Sequence, residues 1–168
     1  MKIKETYKTK EKIMNNSLTE EQVKVLNMSQ SVINEVRKVI IGKDEIIIKV
    51  LLSILAGGHI LIEDIPGVGK TTLAVALSKA LSLDYKRLQF TPDVLPTDVT
   101  GFTILNKETH KFEYKQGAAL TNLFLADEIN RTSSKTQSAL LEVMEEGKVT
   151  VDLSLIHISE PTRRVVIS

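Results

Sequence analysis

The sequence contains no cysteine. That excludes disulfides and thiolate metal sites, and it fits a reducing compartment. A charge excess is also missing. The formal net charge is +1, which gives no global electrostatic case for nucleic acid or an anionic membrane surface. The most apolar stretch, Ile46 to Ile65, is broken by Lys49, Gly57, Gly58, His59, Glu63 and Asp64. It cannot cross a bilayer as one uninterrupted apolar helix. The first residues, MKIKETYKTKEKIMNN, are rich in lysine and lack the apolar centre of a signal peptide. No internal repeat is present. These absences point to a cytoplasmic protein. What remains is an ordinary globular composition of 168 residues, 42% of them apolar, which suffices for one domain with a real core.

Residues 1–16 read as a flexible, solvated lead-in. Ser17-Leu18-Thr19-Glu20 has the spacing of a capping box and predicts a helix start. Leu26, Ile33, Val36 and Ile40 then recur at helical spacing, and Gly42 stops the run. Asp44 is placed to cap a second helix, Glu45 to Ala56, ending at Gly57-Gly58. His59 to Glu63 is a short apolar run bounded by glycine and proline, the pattern of a buried parallel strand. Thr71 to Leu83 reads as a helix, Tyr85 to Phe90 as a strand, and Thr91 to Thr100, with Pro92 and Pro96, as a loop. Phe102 to Leu105 and Lys111 to Tyr114 flank a polar turn and predict a β-hairpin. Asn122 to Ala126 is a third strand. Ser133 or Ser134 caps a helix running to Glu146, with Gly147 as its stop, and Lys148 to Asp152 alternates like a strand. Strands alternating with helices give an α/β fold with a parallel sheet and a ligand at the strand C-termini.

Two stretches carry the chemistry. The first is Pro66-Gly67-Val68-Gly69-Lys70-Thr71-Thr72. A polyphosphate needs many donors, and Gly67 and Gly69 let the backbone curl so that successive N–H groups converge. The helix that follows presents its positive end to the same phosphates. Lys70 then reaches the β- and γ-phosphates, and the Thr71 hydroxyl ligates Mg²⁺. The full pattern G-x-x-x-x-G-K-[ST] asks for glycine at position 64, where this chain has Asp64. The donors that matter most lie downstream of it.

The second stretch is Leu123-Phe124-Leu125-Ala126-Asp127-Glu128, in which Asp127 follows Lys70 by 57 residues. An apolar strand places Asp127 at its tip, where the carboxylate holds Mg²⁺. Glu128 is placed to orient and deprotonate an attacking water. A positioned general base is worth roughly 10²- to 10⁴-fold, and the rest of phosphoryl transfer is positioning and charge neutralisation.

With both motifs read, three stretches together resemble MoxR-type AAA+ ATPases: GKDEIIIKVLLSILAGGHILIEDIPGVGKTTLA, RLQFTPDVLPTDVTG and NLFLADEINRTSSKTQSALLEVMEEGKVTVD. The resemblance runs from about Ser17 to Asp152 and is most specific at ADEINR and KTQSALLE. Asp64 fits this family, whose loops often read E-D-x-P-G-x-G-K-T. The resemblance implies a P-loop NTPase fold and an AAA+ core of the helix-2-insert type over residues 17–152, incomplete at its C-terminus. Phe102 to Tyr114 would be the inserted hairpin. It implies ATP and Mg²⁺ as cofactors, catalytic roles for Lys70 and Glu128, and a homo-hexameric ring that remodels or matures a client protein. Val39-Ile40-Ile41-Gly42 aligns with the adenine-contacting turn, which makes Ile41 and Gly42 nucleotide-site candidates; the same residues also read as a helix end. Asn130 matches the family's D-E-I-N. Arg131 fits either a neighbouring subunit's nucleotide or a surface salt bridge. His59 reads as structural, since no second ligand pairs with it, and His110 as an exposed turn residue.

After Asp152 the chain departs from that family, which would continue with a sensor strand, an arginine finger and a helical lid. Leu153 to Arg163 instead resembles an in-frame translation of a sequencing-library adapter, so residues 153–168 are expected to be a non-native tail that should carry no fold reasoning. An arginine finger is worth roughly 10³- to 10⁵-fold in turnover, so the fragment is expected to hydrolyse ATP slowly. Three functions compete. They are an ATP-hydrolysing chaperone in the full-length protein, a non-hydrolysing nucleotide-binding interaction module, and a nucleic-acid motor of a related clade. Near-neutral charge and the D-E-I-N-R stretch argue against the last.

Overall fold

The computed structural model describes residues 18–63, 69–146, 149–151, 156–158 and 164–167. Helix α1, Glu20–Arg37, starts from a capping box, but the box is Thr19 and Gln22 rather than Ser17 and Glu20. The Thr19 Oγ1 accepts from the Gln22 amide at 3.3 Å, and the Gln22 side chain accepts from the Thr19 amide at 2.9 Å. The same four-residue pattern occurs twice, two residues apart, and spacing alone does not choose between them. Helix α2, Asp44–Leu55, takes Lys43 at its cap position with no side-chain cap bond. Asp44 does not cap as expected, because its carboxylate is held by both prongs of Arg37, at 2.9 Å each. This fork ties the end of α1 to the start of α2.

Strand β1, Ile60–Leu61, leads toward helix α3, Lys70–Ala80. Strand β2 is Tyr85–Gln89. The segment expected as a loop from Thr91 contains a short helix, α4, Pro96–Thr100. Pro96 opens it at a position where a missing N–H costs nothing, and the Asp98 carboxylate accepts from the Leu95 amide at 2.9 Å. Strands β3, Gly101–Leu105, and β4, Phe112–Gln116, form the expected hairpin, antiparallel from Gly101 opposite Gln116 to Leu105 opposite Phe112. Strand β5, Leu123–Asp127, is followed by a 3-10 turn at Ile129–Arg131 and by helix α5, Ser134–Glu146. Ser133 supplies the cap, accepting from the Thr136 amide at 3.3 Å. Strands β6, Val149–Val151, and β7, Ile156–Ile158, pair antiparallel. Strand β8 is Arg164–Ile167.

The main sheet has the order β1-β8-β5-β2, all parallel. Strand β8 lies inside the segment read as a non-native tail; it separates β1 from β5, and Val166 is buried. Its Val-Val-Ile run has the β-branched character that suits a central parallel strand.

The sheet divides the core in two. Leu123, Leu125, Val166 and Ile60 face a cluster built from α1, α2 and α3, including Ile33, Val36, Ile47, Leu51, Leu73 and Leu77. Phe124 and Ala126 face the opposite cluster, with Phe90, Val99, Leu120, Leu140 and Val143. Alternation along β5 therefore assigns each of its residues to a layer, and Asp127 continues the series that faces α3.

Candidate functional site

Leu61 on β1 and Ala126 on β5 both pair with Ile167 of the strand between them. The two flanking strands are thus level, with about 9.6 Å across two strand spacings. Their C-terminal ends open on the same edge. From the β5 side that edge receives Asp127 and Glu128. From the β1 side it receives, after the connecting loop, the N-terminus of α3. Pro66, Gly67 and Val68, the heart of the expected phosphate loop, lie outside the described residues, as does Asp64.

Gly69 stands at the cap of α3 with φ of +87°. Only glycine adopts this conformation without a Cβ penalty, so the residue is needed to turn the chain from loop into helix. Lys70 and Thr71 are half-buried in the first turn, and Thr72 is exposed. Lys70 and Gly69 line a small hollow with Ile40, Lys43, Ile46, Ile62 and Leu73. Ile40 of the turn at 39–42 therefore lies beside the start of α3. It is Ile40, Lys43 and Ile46 that line the hollow, however. Ile41 is 86% exposed, and Gly42 makes the turn with φ of +77°.

Asp127 is held by Arg87 of β2, whose Nε and Nη2 reach the same carboxylate oxygen at 3.1 and 2.6 Å. Arg87 pairs in register with Leu125, two residues before Asp127, so its side chain emerges on the same face of the sheet and leans forward to the strand tip. Glu128 has φ of +61° and ψ of +39°, a left-handed conformation unusual for a residue with a side chain. Such a backbone costs on the order of 1–3 kcal/mol and persists where its surroundings impose it. The constraint is visible. The Glu128 carbonyl accepts from the Arg131 amide at 2.9 Å. The Gln137 side-chain amide on α5 donates to the carbonyls of Ile129 and Thr132 at 3.2 and 3.3 Å. Thr136, fully buried, donates to the Val94 carbonyl at 2.9 Å.

Arg87, Thr136 and Gln137 were not singled out by sequence reasoning. Arg87 depends on strand register, which no local pattern fixes. Thr136 and Gln137 stand in the K-T-Q stretch that carries the family resemblance; Gln137 clamps the turn after Asp127-Glu128, and Thr136 ties α5 to the Val94 carbonyl. His59 is structural as expected, with a ring nitrogen 3.0 Å from the Met144 carbonyl on α5. His110 is exposed in the hairpin turn with φ of +51°. Asn130 and Arg131 are exposed.

The two expected metal ligands, the Asp127 carboxylate and the Thr71 hydroxyl, are hard oxygens. That set suits Mg²⁺ rather than a softer metal. Among the described residues there is no group of three or more His, Cys, Asp or Glu side chains suited to a metal.

A family model described as "ATPase family associated with various cellular activities (AAA)" matches residues 59–167. The chain belongs to this AAA family. Among curated proteins it is 54% identical over 129 residues to the uncharacterized protein YeaC of Bacillus subtilis (strain 168), covering 77% of this chain and 40% of YeaC. It is 41% identical over 117 residues to the chaperone MoxR1 of Mycobacterium tuberculosis, covering 70% of this chain and 31% of MoxR1. Among solved structures, that of a candidate ATPase from Cytophaga hutchinsonii matches with a TM-score of 0.72 and 43% identity over 84% of this chain and 42% of that one. The AAA core and the MoxR resemblance read from the motifs therefore hold. The chain spans 31% to 42% of the length of these relatives. No helix among the described residues is long and apolar enough to cross a membrane.

Proposed function

We propose that this chain carries the nucleotide-binding and catalytic part of an ATP-hydrolysing AAA+ chaperone of MoxR type, which acts in the cytoplasm as a homo-hexamer on a client protein. One observation carries the reading. Asp127 ends β5 in the series that faces α3, Glu128 follows it at the start of the next turn, and α3 begins at Lys70 with Gly69 as its cap. This is the arrangement that phosphoryl transfer requires, a phosphate-facing helix end beside a metal-binding acid and a base.

Each residue then has a role. The amides from Gly67 to Thr72, with Pro66 and Val68 shaping the loop, hold the phosphates. Lys70 neutralises the terminal ones. Thr71 and Asp127 would hold Mg²⁺, which would supply charge neutralisation for the phosphates. Glu128, projected off the sheet by its left-handed backbone, takes the proton of the attacking water. Ile41, Gly42 and their neighbours Ile40 and Ile46 supply the surface for the base. Within this proposal residues 153–168 are a non-native continuation, and their Arg-Val-Val-Ile run takes the slot beside β5 because a β-branched run suffices there. An intact locus whose reading frame ends in these same residues would remove that part of the account.

The experiment is ATP turnover and binding in the full-length protein. Glu128→Gln is expected to keep ATP affinity within a few-fold while turnover falls by roughly 10²- to 10⁴-fold. Unchanged turnover would remove Glu128 as the base. A wild-type protein that binds ATP without turning it over would favour the interaction-module reading.

A further inference from the structure

We propose that Arg87 is a built-in competitor of the metal. Its guanidinium occupies the Asp127 carboxylate until Mg²⁺ arrives with the nucleotide, and must then withdraw. The inference rests on Asp127 being the metal-binding acid, as set out above.

The Asp127 side chain is only 20% exposed, at the end of a strand whose preceding four residues are wholly buried. A carboxylate so placed has lost most of its hydration and requires a counter-charge. Arg87 provides one by both Nε and Nη2 on a single oxygen, Oδ2. Its side chain is 40% exposed, so it keeps a path to water and is not locked in place. The contact is not a generic surface pairing. The adjacent Lys86 reaches the Gly117 carbonyl at 3.3 Å, and the Tyr85 ring on the Arg87 side packs against the α1–α3 core. Burial raises the Tyr85 phenol above its ordinary range, while Arg87 works against that shift.

Magnesium demands oxygen ligands at about 2.0–2.1 Å in near-octahedral geometry. Both Arg87 nitrogens lie on Oδ2, so a metal taking that oxygen would meet a cation already in place. Two cations on one carboxylate also repel each other. Metal binding is therefore an exchange, and Arg87 raises the Mg²⁺ concentration needed for tight nucleotide binding. Between nucleotides, the same residue keeps the half-buried acid neutralised.

The test uses Mg²⁺ titrations of fluorescent-ATP binding to the full-length protein. Arg87→Met keeps the aliphatic stem and removes the charge. An exposed or half-exposed ion pair of ordinary strength corresponds to roughly two- to fivefold in an equilibrium constant. The half-saturating Mg²⁺ concentration is thus expected to fall by that factor, with affinity measured in EDTA unchanged. A folded Arg87→Met protein with an unchanged or raised Mg²⁺ requirement would overturn the proposal. Asp127→Asn separates the two levels. If it leaves the Mg²⁺ dependence intact, the metal-site reading fails and this inference with it. If it abolishes that dependence while Arg87→Met changes nothing, only the competition fails. Should Arg87→Met not fold, the wild-type protein decides. Its Arg87 Nε–H signal, protected from exchange in the metal-free state, is expected to lose protection on adding Mg²⁺ and a non-hydrolysable ATP analogue. Persistent protection would overturn the proposal.

Discussion

At the scale of single residues, the placement of the two motif strings was legible because each depends on short spacing. Gly69-Lys70-Thr71 and Asp127-Glu128 are local strings, and the structure puts the first string at a helix start and the second at a strand end. Arg87 was not legible, because its meeting with Asp127 requires β2 to pair with β5 in one register out of several. The left-handed backbone of Glu128 was equally hidden, since no glycine or asparagine marks it. Tyr114 is another residue whose role appears only in three dimensions. Its hydroxyl donates to the Thr100 carbonyl, and burial holds its phenol above the ordinary value of 10.0, partly offset by a backbone hydrogen bond at Gly117. The folded value thus exceeds the unfolded one, so this contribution to stability is complete below the unfolded value and is lost as pH climbs through the folded one. Unfolding titrations between neutral and strongly alkaline pH should show a decline in wild type that is shallower in Tyr114→Phe. Identical slopes in the two proteins would refute the assignment.

At the scale of elements, type was easier to read than ends. The hairpin, the helix after the phosphate loop and the apolar strand before the acids all stand where periodicity put them. The misreadings have physical reasons. Pro92 and Pro96 suggested a loop, but proline at a first helical position favours a helix start. Asp44 was assigned as a cap, but Arg37 seven residues earlier holds it. The base of the hairpin rests on two glycines that local patterns do not single out. A Cβ at Gly117 would collide with the backbone of Val99, Thr100 and Gly101, and one at Gly101, where φ is +93°, with Lys115, Tyr114 and Gly117. All of these neighbours but the Tyr114 hydroxyl are backbone and cannot yield cheaply. Gly117→Ala should destabilise the fold by about 1–3 kcal/mol, the range for overpacking, read as a lowered urea midpoint at unchanged slope. A midpoint equal to wild type would show that the close approach carries no energy.

At the scale of the whole molecule, the α/β class and the AAA family were within reach of the motifs, whereas the strand order was not. Crossover connections in α/β proteins follow rules of handedness, but which strand lies between β1 and β5 is a matter of long-range pairing. In this chain β8 takes that place. Among the described strands, β1 and β5 are each hydrogen-bonded to β8 and not to each other. A chain ended at Asp152 should therefore expose two apolar strand edges and aggregate, which light scattering after purification will register. A monodisperse, cooperatively unfolding product of that length would show that the sheet holds without its middle strand. The proposed ring makes a further demand on size. The full-length protein with ATP should sediment as a hexamer, and a monomer under those conditions would contradict it.

Isothermal calorimetry of Mg-ATP against the folded, full-length protein tests the central claim most directly, with Lys70→Ala as its partner measurement. Saturable binding in wild type, weakened at least tenfold by Lys70→Ala, is the predicted result, because the lysine stands at the first turn of α3, where the proposed function puts the terminal phosphates. No binding heat in wild type, or equal affinity in the variant, would contradict it.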